Sequence, residues 1–230
     1  MDKTKIYRYI KSFASSRYKK SSNDEEIWQD FTLNYKANEK NIADTLAPCD
    51  KKFIIEIGCG CGDFAKIFLE NNDNCLYLAM DVYRGGIINS IKKVKNIDIK
   101  SNIVKFHNED GRIFIDNLDE KIKADSIFIL FPDPWPKRKH NERRIINRDY
   151  VLHLLSRIKE HGKIVIATDD FEYQEHIFAT LSSLSDSIEF CALKEDEILA
   201  KFPYYKRTKY HDKAVKAGRS SIFFIANLKL

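Results

Sequence analysis

Glu56, Asp81, Asp110 and Asp133 each stand at or just past the end of a short apolar run, and glycines fill the turn after the first run in FIIEIGCGCGDF, residues 53–64. Glycine permits a tight turn and lets backbone approach a ligand closely, so Gly58, Gly60 and Gly62 mark a candidate binding loop. Their spacing is G-x-G-x-G, not the G-x-G-x-x-G that seats a pyrophosphate on a helix N-terminus. Asp81 is placed to accept both hydroxyls of a ribose, and Asp110, in NEDGRIF, to accept from an adenine edge. Carboxylates beside a bare glycine loop attract a cationic adenosine derivative and repel a phosphate. S-adenosylmethionine, carrying a sulfonium and an ammonium, suits this set. Taken singly, each acid also reads as a salt-bridge partner or a turn residue; the convergence of three strand ends carries the ligand reading.

A second constellation follows the apolar run SIFILF. In FPDPWPKRKHNERR, residues 131–144, three prolines within five positions fix φ and remove donors, which predicts a rigid, non-helical loop presenting Asp133 and Trp135. Trp135 is expected to pack the loop against the body rather than to stack on a ligand. The basic stretch 137–148 reads as the entry to a helix that could track phosphates.

These residues need a frame. After residue 48, short apolar runs alternate with amphipathic stretches, the pattern of βαβ units and a mainly parallel sheet. Strands are expected at Phe53 to Ile57, Leu76 to Asp81, Ile103 to His107, Ser126 to Phe131, Lys163 to Thr168, Glu189 to Leu193 and Ser221 to Leu228. The last two, joined by the polar stretch 194–219, are expected to pair with each other at one edge, antiparallel to at least one neighbour. The chain divides into a basic, partly mobile N-terminal extension, 1–48, and one catalytic domain, 49–230.

Charge is segregated. Residues 3–20, 137–148 and 206–219 together carry a net +17, which leaves −12 on the rest of a chain whose total is +5. Such clustering steers a polyanion if the patches share one face; otherwise they are three solvated surfaces. Five cysteines without a C-x-x-C pair fit neither a disulfide framework nor a common zinc site, so no metal is expected and a reducing cytoplasm is the simplest compartment. No run approaches the roughly 20 apolar residues of a membrane span.

In order and spacing, EIGCGCG, Asp81, Asp110, FPDPWPKRKHNERR, ATDDFEYQEH (Ala167 to His176), TKYH (Thr208 to His211) and Gly218 strongly resemble the bacterial-type tRNA (guanine-N7)-methyltransferase family over residues 53–224. The resemblance implies a Rossmann-like class I S-adenosylmethionine-dependent α/β fold, with a seven-stranded, mostly parallel sheet and helices on both faces. It implies a cofactor site of Glu56, Gly58, Gly60, Asp81, Asp110 and Asp133, with Asp133 also catalytic. Lys137, Asp169, Thr208, Lys209, Tyr210 and His211 correspond to substrate contacts. Lys139, His140, Asn141, Arg143 and Arg144 correspond to tRNA contacts. This chain departs from the family at His211, where a glutamate is usual, and at Asp170, Gly111 and Glu142.

The implied reaction moves a methyl group from S-adenosylmethionine to guanine N7 in the tRNA variable loop. N7 bears a lone pair and no proton, so positioning dominates and Asp133 holds the base rather than deprotonating it. tRNA is the expected partner, without an obligate protein subunit, for a monomer or homodimer. A class I methyltransferase with another acceptor, a non-catalytic RNA-binding protein on the same fold and, more remotely, a nicotinamide-dependent oxidoreductase are the competing readings.

Overall fold

The computed structural model describes residues 21–47 and 50–229. The cationic stretch 3–20 and the boundary expected at residue 48 lie outside the described residues. The chain runs α1 (Asp24–Asp30), a π-helical turn (Phe31–Tyr35), α2 (Glu39–Leu46), β1 (Lys52–Ile57), α3 (Asp63–Asn71), β2 (Cys75–Met80), α4 (Arg84–Lys95), β3 (Ile103–His107) and α5 (Gly111–Asn117). It continues through β4 (Ala124–Leu130), a 3-10 helix (Arg138–Arg143), α6 (Arg148–Leu155), β5 (Ile158–Thr168), α7 (Phe171–Ser182), β6 (Ile188–Leu193), α8 (Glu195–Lys201), α9 (Lys209–Lys216) and β7 (Ile222–Leu228).

The seven strands form one sheet in the order β3-β2-β1-β4-β5-β7-β6. β1 to β5 are parallel, and β7 runs antiparallel to both β5 and β6. The inner strands are apolar throughout because both of their faces are covered: every residue of β2, CLYLAM, is buried. Alternation along the strands sorts the core into two clusters. Ile54, Tyr77, Phe106, Phe128 and Val165 face α1, α3, α4 and α8, while Ile55, Leu78, Ile127, Ile164 and Phe224 face α2, α5, α6 and α7.

Four expectations are corrected. Residues 21–47 are no loose lead-in: Ile27, Phe31 and Ile42 are buried against the sheet's helices, and Lys36 bridges to Phe106. β5 begins at Ile158, five residues before the expected start, because its first half is the polar, exposed KEH beside a register shift opposite Ala124 and Ser126. The stretch 194–219 is not a plain connector but holds α8 and α9. Residues 138–143 form a 3-10 helix, and α6 starts only at Arg148, where the side chain of Asn147 accepts the Tyr150 N–H at 3.0 Å.

β1 and β4 are neighbours although the chain visits β2 and β3 between them, so the strand order reverses there. Crevices outside the carboxyl ends of strands at such a reversal are where open α/β sheets bind ligands. The glycine loop leaves β1 and the proline loop leaves β4, one on each side of this crevice.

Candidate active site

The glycine loop is held in the left-handed region, with φ of +79° at Gly58, +54° at Gly60 and +73° at Gly62. Its amides are already engaged. The N–H groups of Gly58 and Cys59 donate to the Met80 carbonyl at 2.8 and 3.0 Å, that of Gly60 to an Asp81 carboxylate oxygen at 2.8 Å, and that of Gly62 to the Cys59 carbonyl at 2.9 Å. With four of its five N–H groups so engaged, the loop has little left to cradle a phosphate, which argues against a dinucleotide. Beyond Gly58, the position a Cβ would occupy meets nothing within 4 Å, so backbone is open to a ligand there.

Asp81 takes a main-chain donor on each oxygen, Gly60 on one and Tyr83, also at 2.8 Å, on the other. Each oxygen keeps a further lone pair for a hydroxyl. Burial raises its pKa, and the charge of Asp133 raises it further, so the two carboxylates are close enough to interact. Asp133 itself is exposed and makes no hydrogen bond or ion pair among the described residues.

The proline loop is braced from beneath. Phe131 and Trp135 adopt φ of +55° and +47°, a region costly for residues with a Cβ, and such strain persists only where surroundings impose it. The Phe131 N–H donates to the Ala167 carbonyl at 2.8 Å. Arg144, 5% exposed, donates from Nε to the Pro134 carbonyl at 2.8 Å and lays its guanidinium over the Tyr173 ring at 5.1 Å. Trp135 packs edge-on to His140, with the Arg143 guanidinium 5.0 Å from its ring, so the indole stiffens its own loop.

Two of the expected cofactor acids are engaged within the protein. Glu56, 3% exposed, accepts the Tyr77 hydroxyl at 2.8 Å, and burial lifts its pKa to about 8. Asp110 caps α5 through the Arg112 N–H and is gripped by the Arg112 guanidinium from Nε at 2.9 Å and Nη2 at 2.6 Å. Tyr77 and Arg112 were not singled out by sequence reasoning. Tyr77 carries a usable signal: it pairs with Ile54, so two-residue alternation puts it on the face that Glu56 shares.

Comparisons with known proteins agree with this geometry. A family model described as "Putative methyltransferase" matches residues 50–224. A tRNA (guanine-N(7)-)-methyltransferase of Wolbachia pipientis wMel is 32% identical over 217 residues, 94% of this chain and 91% of that protein. One of Legionella pneumophila strain Corby is 31% identical over 78% of this chain and 81% of that one. The chain belongs to the tRNA (guanine-N7)-methyltransferase family. Among solved structures, an antibiotic related methyltransferase superposes with TM-score 0.59 at 19% identity, covering 87% of this chain and 98% of that chain. The O-methyltransferase TomG from Streptomyces achromogenes, solved in complex with S-adenosylmethionine, superposes with TM-score 0.51 at 12% identity, each chain 92% covered. These structures share the class I methyltransferase fold.

For a tRNA (guanine-N7)-methyltransferase the crevice fits a sulfonium nucleoside: most of its loop donors are engaged, Asp81 is fixed, and Asp133 is an exposed carboxylate close enough to act on Asp81. The TKYH segment is sorted by helix phase. Thr208 is buried and caps α9, accepting the His211 N–H at 3.3 Å; Lys209 and Tyr210 point outward, and His211 and Ala214 point inward. Tyr210 lies against Gly60, 3.3 Å from where a Cβ would sit, and Asp81 and Asp133 both raise its pKa after burial, so it closes one wall of the crevice.

His211, expected to touch the target guanine, is 1% exposed. Its Nδ1 meets the Tyr205 hydroxyl at 3.0 Å, its ring packs 5.4 Å from that of Phe131, and burial lowers its pKa toward a neutral imidazole. It supports the proline loop from inside. Arg144, expected to contact tRNA, is likewise buried and serves that loop. Lys137, Lys139 and Asn141 are exposed, His140 and Arg143 partly so, and Asp169 accepts Arg219 Nε at 2.6 Å. Asp170, at one of the departures, caps α7 by accepting the Tyr173 N–H at 2.9 Å. At Gly111, another departure, a Cβ would lie 3.0 Å from the Met80 Cε, a tight contact with the flexible end of that side chain.

Proposed function

We infer that this protein transfers a methyl group from S-adenosylmethionine to guanine N7 in the variable loop of tRNA. The observation that carries the reading is Asp133, an unpaired, exposed carboxylate on a strained, braced loop at the strand-order reversal, in a chain of this family. Gly58, Gly60, Asp81 and Asp133 hold the donor, which supplies an electrophilic methyl on sulfonium. Glu56, kept largely protonated at neutral pH by burial, and Asp110, compensated by Arg112, contribute hydrogen-bonding groups and the shape of the site.

Guanine N7 attacks with its own lone pair, so no base is required. Asp133 accepts from guanine donors and balances the positive charge that grows on the base as it is methylated. Holding two partners in line is itself worth roughly 7–11 kcal/mol of barrier, and the stiff proline loop meets that demand. Lys137, Asp169, Lys209 and Tyr210 orient the nucleotide, and Lys139, His140, Asn141 and Arg143 meet the tRNA backbone. The buried thiols of Cys59 and Cys75, both with raised pKa, suit a reducing cytoplasm. The protein works as a monomer or homodimer without an obligate partner subunit.

The test is transfer of labelled methyl from S-adenosylmethionine to unmodified tRNA, followed by chain cleavage at 7-methylguanosine. Asp133→Ala is expected to lower kcat by at least about 100-fold while S-adenosylhomocysteine still binds. Label appearing elsewhere than N7, or parental turnover in the variant, removes the reading.

A further inference from the structure

Between α3 and α9 lies an open trough of about 520 Å³ lined by the cations Lys66, Lys206, Arg207, Lys209, Lys213 and Lys216. It lies apart from the 3-10 helix expected to meet tRNA. Several of its charges are already matched: Arg207 is held by Glu195 at 2.8 Å, Lys66 stands 3.7 Å from Glu70, and Asp63 is neutralised by Lys93. Lys206, Lys209, Lys213 and Lys216 have no ion pair among the described residues, and of the trough's acids only Asp212 remains to oppose them. Lys209, Lys213 and Lys216 fall at helical spacing on one face of α9, a track about 10 Å long. The helix dipole favours Lys213 and Lys216 near the C-terminus of α9, but it gives no reason for Lys206 before the helix or Lys209 at its start.

We propose that this trough holds the sugar-phosphate backbone of the RNA substrate as it leaves the catalytic crevice; the proposal rests on the reading of the protein as a tRNA methyltransferase. Three observations support RNA over a small anion. The trough is continuous with the crevice, because the helix that carries these lysines also carries Tyr210, against Gly60. It is a shallow surface with exposed ammonium groups, suited to repeated phosphates rather than to bidentate capture of one ligand. Its net charge opposes the acidic crevice beside it, so backbone is drawn to the rim while the cationic donor is drawn to the centre.

The experiment compares two double variants of the full chain, K206Q/K216Q in the trough and K40Q/K121Q on exposed lysines outside it. Affinity for an unmodified tRNA transcript is measured across a salt series. K206Q/K216Q is expected to bind tRNA on the order of tenfold more weakly near 0.1 M salt, with its salt slope reduced by about 1.4 for two lost phosphate contacts. Its S-adenosylhomocysteine affinity and Tm stay parental, and K40Q/K121Q keeps the parental slope. A trough variant indistinguishable from the control overturns the proposal, as does weaker binding without a change in slope. If the parental protein binds tRNA with the expected slope difference but methylates no N7, the reaction fails and the trough stands.

Discussion

At the scale of single residues, the acids of the site differ in role through what surrounds them. Asp133 is free because its neighbours are prolines without N–H groups, whereas Glu56 is enclosed by the sheet and hydrogen-bonded to Tyr77. This has a pH signature. Glu56 ionises near 4.5 when unfolded and near 8 in the fold. Between those values the native state keeps a proton that the unfolded chain has released, so stability falls as pH rises through the window and stays lowered above it. Glu56→Gln retains an acceptor for Tyr77 and removes the ionisation. Denaturation midpoints across pH should show the variant more stable than the parent at pH 8.5 by on the order of a few kcal/mol, with the gap closing toward pH 4. A parallel pair of curves would show that burial does not perturb this carboxyl.

At the scale of elements, the proline loop depends on contacts from outside itself. Arg144 ties Pro134 to Tyr173 of α7, and His211 of α9 underlies Phe131. Arg143, one residue earlier, reaches the indole from the outer side. The two arginines should therefore separate cleanly. Arg144→Gln is expected to cost about 1–3 kcal/mol and to lower kcat about tenfold, with the salt slope of tRNA binding unchanged. Arg143→Gln should leave stability within about 0.5 kcal/mol and reduce that slope by about 0.7. Chemical denaturation and salt-dependent binding on both variants decide it; a reduced slope for Arg144→Gln would return that residue to the RNA face.

At the scale of the whole molecule, α1 braces α4, the helix that follows Asp81. Asp24, 2% exposed, pairs with Lys92 of α4 at 2.7 Å, and Asp30 pairs with Lys95 at 2.8 Å. Trp28 lies under the Arg84 guanidinium, 4.1 Å from its ring, at the start of α4 just beyond Asp81. Asp24 is buried and accepts both the Lys92 ammonium and the Ser21 N–H, so Asp24→Asn, which weakens both, is expected to lose about 1–3 kcal/mol, a Tm drop of several degrees at this chain length. Asp30→Asn, in a pair open to solvent, should lose less than about 1 kcal/mol. Thermal melts of the two variants test whether α1 belongs to the cooperative unit; equal, negligible losses would detach it.

The sequence by itself determined the parallel sheet, the antiparallel edge pair, the glycine turn and the position of Asp133, because these rest on local rules: apolar runs, glycine's freedom at positive φ, and proline's fixed φ. It gave Thr208 to His211 only as a substrate-contacting segment, without the helix that sorts them into inward and outward faces. Only the tertiary structure decided that Arg144 and His211 are internal braces, that Glu56 and Asp110 have partners in Tyr77 and Arg112, and that α1 packs on α4. Burial and charge pairing depend on residues distant in the chain, and a basic or imidazole side chain looks the same in sequence whether it ends in solvent or beneath a loop.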